Sequence, residues 1–159
     1  MAQQIVRQVG MFTGSGRSEL LFYYPESGEW WLGYFSNNQF HWQLANNSSG
    51  FGNLADGRPF WIGKFIEAGQ ANLLFYSPAD GNWWIGYLEE ERLNWKLAGN
   101  TAGFGNLADG RPFWIGNFTD TDRTDLLFFS PVDKHWWLGY FTGTQLQWNL
   151  ANSPDQPDS

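Results

Sequence analysis

The sequence contains no cysteine, so the chain has no disulfide framework, no thiolate metal site and no cysteine nucleophile. No run approaches the roughly 18 apolar residues of a membrane-spanning helix. The first residues, Met1 to Gln4, do not resemble a signal peptide, and a cytoplasmic location is the default expectation. The net charge of −7, with nine Lys and Arg in no cluster, argues against nucleic acid and membrane as partners.

Catalytic and cofactor motifs are also missing from the sequence. The histidines, His41 and His135, occupy different positions in the repeat described below, and neither has a recurring carboxylate beside it. General acid-base or nucleophilic catalysis needs an acid or base, a partner and a nucleophile within reach of one another. No Gly-rich phosphate loop, metal triad or nucleophile elbow is present either. We therefore expect a protein that is not an enzyme and needs no cofactor.

The dominant feature of the chain is a sequence that recurs three times at a fixed interval of 53 residues. No residue is inserted or deleted between the copies. A period of this length indicates a repeat architecture, in which each unit buries its apolar faces against a neighbour. The recurring positions include a Trp-Trp pair, a single Trp and a Pro: Trp30-Trp31, Trp83-Trp84 and Trp136-Trp137; Trp42, Trp95 and Trp148; Pro25, Pro78 and Pro131.

Each copy predicts four short β-strands and essentially no helix. Apolar runs are separated by turn sequences such as Pro78-Ala79-Asp80-Gly81, in which Pro presets φ and Gly accepts a positive φ. No helical period of useful length is present. Neighbouring residues of a strand point to opposite faces, so the Trp pairs need both faces of the sheet covered. Three tight hairpins followed by a long link describe an up-and-down blade of a β-propeller.

The domain boundaries follow from counting the repeats. Repeats 10–62 and 63–115 are complete, whereas the third, 116–152, ends after its fourth strand. Residues 1–9 occupy the missing register, and we expect this N-terminal strand to complete the third repeat. The predicted domain is therefore 1–152. The polar segment 153–159 is predicted to be a disordered tail.

The first loop of each repeat, Gly10 to Phe22 in the first copy, resembles the FG-GAP or VCBS-type blade of integrin-like propellers. The family pattern is G-D-F-x-G-D-G-x-x-D-L, a calcium loop between two strands. The resemblance covers nearly the whole chain and implies a propeller fold. It also implies that calcium is not bound, because the family's carboxylate positions are largely replaced here: Met11, Lys64 and Asn117; Ser15, Ala68 and Thr121; Glu19, Asn72 and Asp125.

The third loop keeps the most carboxylates of the family pattern. Calcium takes six to eight oxygen ligands, several of them from carboxylates. Asp120, Asp122 and Asp125 are the set that comes closest to supplying them. We expect this loop, like the other two, to hold its shape without metal.

Three blades do not close a propeller, since the rings have at least four. The favoured solution is a six-bladed ring formed by two chains, a head-to-tail contact that closes on itself. The alternative is a β-trefoil, in which three repeats close within one chain of about this length. A piece of a longer array and an engineered chain are further possibilities.

One segment, 50–63, recurs letter for letter at 103–116, although the repeats differ freely elsewhere. A structural interpretation is that Asp56 pairs with Arg58 and that Phe51 and Leu54 plug the gap between blades. A binding interpretation is that polar side chains fix a ligand beside an aromatic platform, the usual composition of a shallow site. The candidate ligand-binding residues are Asn53, Asp56, Arg58 and Trp61, and their counterparts Asn106, Asp109, Arg111 and Trp114.

This pattern favours a multivalent carbohydrate-binding protein with repeated shallow sites between blades. The C–H faces of sugars stack on indole rings, and identical weak sites gain from multivalency. Glycans and a second copy of the chain are then the expected partners. The third junction lacks the repeated segment and is expected to bind poorly or not at all. The alternative function is a structural or protein-interaction propeller, which includes the engineered case.

Overall fold

The computed structural model describes residues 6–131 and 133–151. Within them the chain forms twelve β-strands and two short 3-10 turns, Ser49–Phe51 and Ala102–Phe104. Neither of these turns could cross a membrane, and no other helix is found in this part of the chain. The strands are β1 Arg7–Gly10, β2 Glu19–Tyr24, β3 Glu29–Ser36, β4 Gln39–Asn47, β5 Phe60–Glu67, β6 Gln70–Ser77, β7 Asn82–Glu89, β8 Arg92–Asn100, β9 Phe113–Gly116, β10 Asp125–Ser130, β11 His135–Thr142 and β12 Gln145–Leu150.

The strands build three four-stranded antiparallel sheets, each in simple chain order. Sheet 1 contains β1–β4, sheet 2 contains β5–β8 and sheet 3 contains β9–β12. The prediction of four strands per repeat is confirmed. Each sheet is a meander of hairpins, and the linkers 48–59 and 101–112 join one sheet to the next.

The strand that begins each sheet differs from the sequence prediction. Strand β1 pairs with β2, with Arg7 opposite Phe22, and sheet 3 has its own first strand, β9. The expectation that residues 1–9 complete the third repeat is therefore wrong for the part that is described, 6–9. A hairpin across one short loop loses less chain entropy than pairing with a strand more than a hundred residues away. Residues 1–5 and 152–159, including the predicted tail 153–159, lie outside the described residues.

Sheet 2 lies between the other two, and each of its faces packs in a separate hydrophobic core. Trp84 belongs to the core shared with sheet 1, and the adjacent Trp83 belongs to the core shared with sheet 3. The prediction that both faces of the Trp pair are covered is confirmed for this sheet. Buried aromatic residues of this size contribute about 1.5–3 kcal/mol each through apolar burial.

Each sheet thus has two distinct faces. We call the face that meets the next sheet along the chain the forward face, and the one that meets the previous sheet the backward face. In sheet 1 the forward face carries Phe12, Tyr23 and Trp30. In sheet 2 the backward face carries Phe75 and Leu93. The backward face of sheet 1 and the forward face of sheet 3 have no sheet against them in the described chain.

The same backbone hydrogen bond is made at both seams between sheets. The amide of Ala71 donates to the carbonyl of Met11 at 2.8 Å, and the amide of Thr124 donates to the carbonyl of Lys64 at 2.9 Å. Each residue of the second hydrogen bond lies 53 positions after its counterpart in the first, so the second seam repeats the contact of the first. The seams also share a side-chain bridge, made by Gln70 at the first and by Arg123 at the second.

Candidate functional site

The repeated segment forms a loop that fastens one sheet to the next. The amide of Leu54 donates to the Tyr23 hydroxyl at 2.9 Å, and the amide of Leu107 donates to the Tyr76 hydroxyl at 3.1 Å. Both leucine side chains are buried in the seam cores. The identical sequence of the two loops therefore has a structural cause, since each must follow the same backbone path across a seam.

Asp56 and Arg58 form the ion pair that the sequence predicts, and Asp109 and Arg111 repeat it. In each pair the Nε and Nη2 atoms contact the two carboxylate oxygens at 2.9–3.0 Å. Each guanidinium also lies over a phenylalanine ring of the following sheet, with 5.3 Å from Arg58 to Phe75. The arginines thus hold the linker against the sheet that follows it.

Charge pairing shifts the pKa of both aspartates and of Arg111. The hydrogen bonds from Arg58 hold the pKa of the Asp56 carboxyl below its ordinary value of 3.8. Those from Arg111 do the same to the pKa of Asp109, and the Asp109 carboxylate in turn raises the pKa of Arg111. Both aspartates are therefore ionised at neutral pH, and each is held against the guanidinium of its arginine.

Asn53 and Asn106 shape the loop rather than facing the seam cores. Each is exposed, and its side-chain carbonyl accepts a hydrogen bond from the amide two residues further on, at 2.8 Å. This is an Asx turn, a local arrangement that Asn forms readily. The oxygen atoms of these residues are thus already engaged within the loop.

A cavity of about 280 Å³ opens at the second seam, between sheet 2 and the linker 101–112. Its wall brings together Trp61, Tyr76, Trp83, Arg111 and Phe113. The structure therefore groups the predicted residues differently from the sequence interpretation. Trp61 shares this cavity with Arg111 of the following loop, whereas Asn53, Asp56 and Arg58 belong to the loop at the first seam.

Trp61 has one face that the neighbouring rings leave uncovered. Its ring is nearly parallel to those of Trp83 and Phe113, with centroids 5.7 and 5.6 Å away. Trp83 and Phe113 are themselves 6.0 Å apart, so the two rings cannot lie on opposite faces of Trp61. A partly buried indole that lines a cavity together with a paired guanidinium is a platform on which a flat apolar surface can stack.

The other copies of this position differ from Trp61. The first sheet has Gln8 there, so the first seam lacks the indole. In the third sheet Trp114 is 46% exposed and stacks on Trp136 at 5.7 Å. Of the three positions, only that of Trp61 combines an indole with the arginine of a following linker in the described chain.

The loops that resemble calcium sites are closed by their own hydrogen bonds. Glu19 is buried, and one carboxylate oxygen accepts from the amides of Phe12 and Thr13 at 2.8 and 3.0 Å. Asp125 accepts from the amides of Phe118 and Thr119 in the same way. Among the described residues no three acidic or histidine side chains come together as a metal site.

Two further cavities lie on sheet 1 and were not predicted from the sequence. One, of about 320 Å³, is lined by polar groups, among them Ser15, Arg17 and, from the β7–β8 turn, Glu91, and by the rings of Tyr34 and Phe35. The other is an open hollow beside Trp31. Most residues that line these cavities differ between the three copies, so the recurring positions of the sequence do not point to them.

Comparisons with known proteins give a likeness of fold. No protein-family model and no curated protein matches the chain. The chain is similar to a solved structure that describes the specific recognition of non-reducing terminal N-acetylglucosamine by an Agrocybe aegerita lectin. The TM-score is 0.63 at 16% sequence identity, and the match covers 89% of this chain and 36% of that chain. At this identity the likeness is one of fold, and this chain spans about a third of that lectin's length.

Proposed function

We propose that the three sheets are consecutive blades of a β-propeller that a second copy of the chain closes into a six-bladed ring. The separate four-stranded sheets support blades over the β-trefoil alternative, because no strand of one described sheet pairs with a strand of another. The resemblance to FG-GAP or VCBS blades points the same way. The main support is the pair of open faces, each built like a face that is buried at an internal seam.

The internal seams specify what the closing contact contains. The residues equivalent to Ala71 and Met11 are Ser18 in sheet 1 and Asn117 in sheet 3. The proposed ring therefore joins the Ser18 amide of one copy to the Asn117 carbonyl of a second copy. Arg17 occupies the position of Gln70 and Arg123, each of which donates to a carbonyl of the preceding sheet, and in the proposed ring it donates across the closing seam in the same way. A contact that repeats the internal seam closes by symmetry.

Cysteine pairs test this contact, since the natural chain has no cysteine to interfere. A backbone hydrogen bond between two residues brings their Cα atoms into the roughly 4.4–6.8 Å range of a disulfide. Ser18→Cys with Asn117→Cys should form a covalent dimer on mild oxidation. Met11→Cys with Ala71→Cys is the matched control and should form a bond within one chain. A Ser18→Cys/Asn117→Cys variant that stays monomeric, while the control pair oxidises, contradicts the closure.

We further propose that the protein binds carbohydrate at the seams between blades. The observation that carries this is the cavity at the second seam, which Trp61 and Arg111 line together. The apolar C–H face of a pyranose fits an indole, and the Arg111 guanidinium in the same wall offers donors to ring hydroxyls. The fold of an N-acetylglucosamine-binding lectin gives further support. Two sites of this kind in a two-chain ring make the protein multivalent.

Calorimetric titration with monosaccharides, N-acetylglucosamine first, tests the site. Trp61→Ala and Arg111→Gln should each weaken binding by about tenfold or more, because each removes one wall of the cavity. Trp114→Ala is the matched control, an exposed indole that stacks on Trp136 and, within the described residues, has no arginine of a following linker beside it. Loss of binding in Trp114→Ala with retention in Trp61→Ala would show that the wrong indole has been chosen.

A structural or protein-interaction role is the second candidate. It is favoured by the loop contacts themselves, since Asp56, Arg58, Asp109 and Arg111 already satisfy one another. A glycan array separates the two functions. If the protein is a folded dimer and binds no sugar on the array, the carbohydrate proposal is contradicted and the interaction role is favoured.

A further inference from the structure

The hollow beside Trp31 lies at the turn between β2 and β3 of sheet 1. It is open to solvent, with a volume of about 710 Å³. Its wall contains two aromatic rings, Tyr24 and Trp31, and two carboxylates, Glu26 and Glu29, with Pro25 and Ser27 between them. The cavity at the second seam also has aromatic rings, but no carboxylate of the described residues lines it.

Strand register places these groups on one face. Glu29 lies opposite Tyr24, and Trp31 lies opposite Phe22. Because side chains alternate along a strand, these four residues share the backward face of sheet 1. Tyr23 and Trp30, which alternate with them, pack against sheet 2 instead.

The other two sheets indicate what this surface accepts. In sheet 2 the position of Trp31 is taken by Trp84, and the Phe51 ring packs on it with centroids 4.8 Å apart. In sheet 3 the Phe104 ring packs on Trp137 at 4.9 Å. Both phenylalanines come from the preceding linker. The surface beside this tryptophan thus receives an apolar group in sheets 2 and 3, and in the described part of sheet 1 it is open.

The charge of the hollow is confined to sheet 1. The counterparts of Glu26 and Glu29 are Ala79 and Asn82 in the second repeat. One Glu29 oxygen accepts the Trp31 indole N–H at 3.2 Å, and Glu29 is part of the wall of the hollow. Of the ion pairs formed by described residues, none involves Glu26 or Glu29. The nearby cation, Arg7, lies over the Phe22 ring and does not line the hollow.

The turn at the outer end of the hollow is a position that stays exposed at an internal seam. In sheet 2, whose backward face is covered by sheet 1, the equivalent turn residues Pro78, Ala79 and Asp80 remain exposed. The turn therefore lies at the rim of a seam. A small molecule could reach the corresponding turn of sheet 1 in the monomer and in the ring.

We propose that this hollow is a second binding site, distinct from the seam cavity, and that it takes an organic ammonium ion. The alkyl groups of the ion lie on Trp31 and Tyr24, in the place that a phenylalanine ring fills in the other sheets. Its positive charge is attracted by the π faces and by Glu26 and Glu29. Aromatic rings combined with carboxylates recognise ammonium groups rather than neutral or anionic ligands.

Tetramethylammonium chloride, titrated by calorimetry at low ionic strength, is the first probe. We expect millimolar binding that weakens as salt is raised, since the attraction is partly between exposed charges. Choline should bind better than its neutral isostere 3,3-dimethylbutanol by about tenfold, the loss expected when a cation–π contact and a charge contact are removed. Equal binding of choline and the isostere would overturn the proposal and indicate a purely apolar surface.

Substitutions locate the site. Trp31→Ala and the double variant Glu26→Gln/Glu29→Gln should each weaken binding of the probe by about tenfold, whereas Trp31→Phe should keep part of it. Glu89→Gln/Glu90→Gln is the charge-matched control, because it removes two exposed carboxylates from another sheet. Retained binding in Trp31→Ala or in Glu26→Gln/Glu29→Gln, or equal loss in the control, contradicts the assignment. Circular dichroism checks that each variant is folded.

Further ligands identify the source of the ammonium group. Choline represents a lipid headgroup, trimethyllysine peptides represent a modified protein tail, and glucosamine represents an amino sugar. Preference for glucosamine over N-acetylglucosamine at this site would link it to carbohydrate recognition. The site does not depend on the seam cavity, and Trp61→Ala should leave ammonium binding unchanged. Loss of binding in Trp61→Ala would contradict the independence of the two sites.

Discussion

The internal seams and the two outer faces contain equivalent residues in different surroundings. Phe65, at the second seam, is 1% exposed, whereas its counterpart Phe118 on the forward face of sheet 3 is 47% exposed. On the backward faces, Leu88 of sheet 2 is 5% exposed and Phe35 of sheet 1 is 58% exposed. The side chains at the outer faces are as apolar as those at the seams. Burial is therefore decided by whether another sheet lies against them.

Exposure alone does not mark an unfilled contact. Leu44, Leu97 and Leu150 occupy one position of the repeat and are 43%, 44% and 54% exposed. These leucines are exposed whether or not the sheet has neighbours, so they do not belong to a seam. The residues that change from buried to exposed between copies are the ones that define the open faces. This comparison separates surface that lacks a partner from surface that faces solvent in every copy.

The largest expected effect comes from Phe65 and Phe118. Phe65→Ala removes a buried ring from a seam within one chain and should lower the free energy of unfolding by about 3–5 kcal/mol. Phe118→Ala should instead weaken association, seen as dissociation of the dimer at a higher protein concentration and a smaller rise of Tm with protein concentration. Equal losses of stability at the lowest protein concentration would break the distinction between inner and outer positions.

A second comparison concerns the glycines under the tryptophans of the fourth strands. A Cβ on Gly86 would lie 2.6 Å from the Trp95 ring, and one on Gly33 would lie 2.8 Å from the Trp42 ring. Trp95 packs against a seam core, but Trp42 is 45% exposed and can move aside. Gly86→Ala should therefore cost about 1–3 kcal/mol in stability, and Gly33→Ala less in the monomer.

Gly69→Ala is the control for this pair. No atom lies within 4 Å of its added Cβ, and its φ is not in the left-handed region. Chemical denaturation at low protein concentration measures all three variants. If Gly33→Ala lowers the free energy of unfolding as much as Gly86→Ala does, the prediction is wrong and Trp42 is held as firmly as Trp95.

The turns between the third and fourth strands sharpen the comparison between sheets 1 and 2. Both turns have two consecutive residues with positive φ, Asn37-Asn38 in sheet 1 and Glu90-Glu91 in sheet 2. Asparagine tolerates this conformation, whereas glutamate is strained in it. Glu90→Asn with Glu91→Gly should raise the free energy of unfolding by about 1–2 kcal/mol. An unchanged or lower Tm would contradict this.

The smallest effect concerns pH. Because the folded-state pKa values of Asp56 and Asp109 are depressed, their pairs stabilise the protein above the ordinary value of 3.8 and lose this contribution as pH falls through the folded values. The pairs are partly exposed, so each is worth less than about 1 kcal/mol. Between pH 5 and 3 the wild type should lose slightly more stability than Asp56→Asn/Asp109→Asn. A larger loss of stability in the Asp56→Asn/Asp109→Asn variant than in the wild type would contradict this prediction.

The period of the sequence predicted the number of sheets, the strands in each and the burial of both faces at the Trp83-Trp84 pair. It did not predict which strand begins each sheet, because a period gives the spacing of strands along the chain and not where one sheet ends and the next begins. This is why β1 was assigned to the third repeat. The same limit affected the site. Trp61 is closer in sequence to Arg58, but it shares its cavity with Arg111, one period later.

The hollow beside Trp31 could not be found from recurrence. Tyr24, Glu26 and Glu29 have no matching residues in the other copies, and a search for repeated positions passes over them. Only the structure brings Phe51 and Phe104 onto the equivalent tryptophans of sheets 2 and 3. The departure of sheet 1 from the pattern then becomes visible as an open surface.

The native mass of the protein tests the central claim most directly. In the proposed ring a second copy covers the two open faces, so native mass spectrometry should give twice the chain mass of 18.3 kDa. Phe118→Asp should shift this species to the single chain, and Leu97→Asp should leave it unchanged. A wild-type protein that stays at 18.3 kDa at every concentration would contradict the closed two-chain ring.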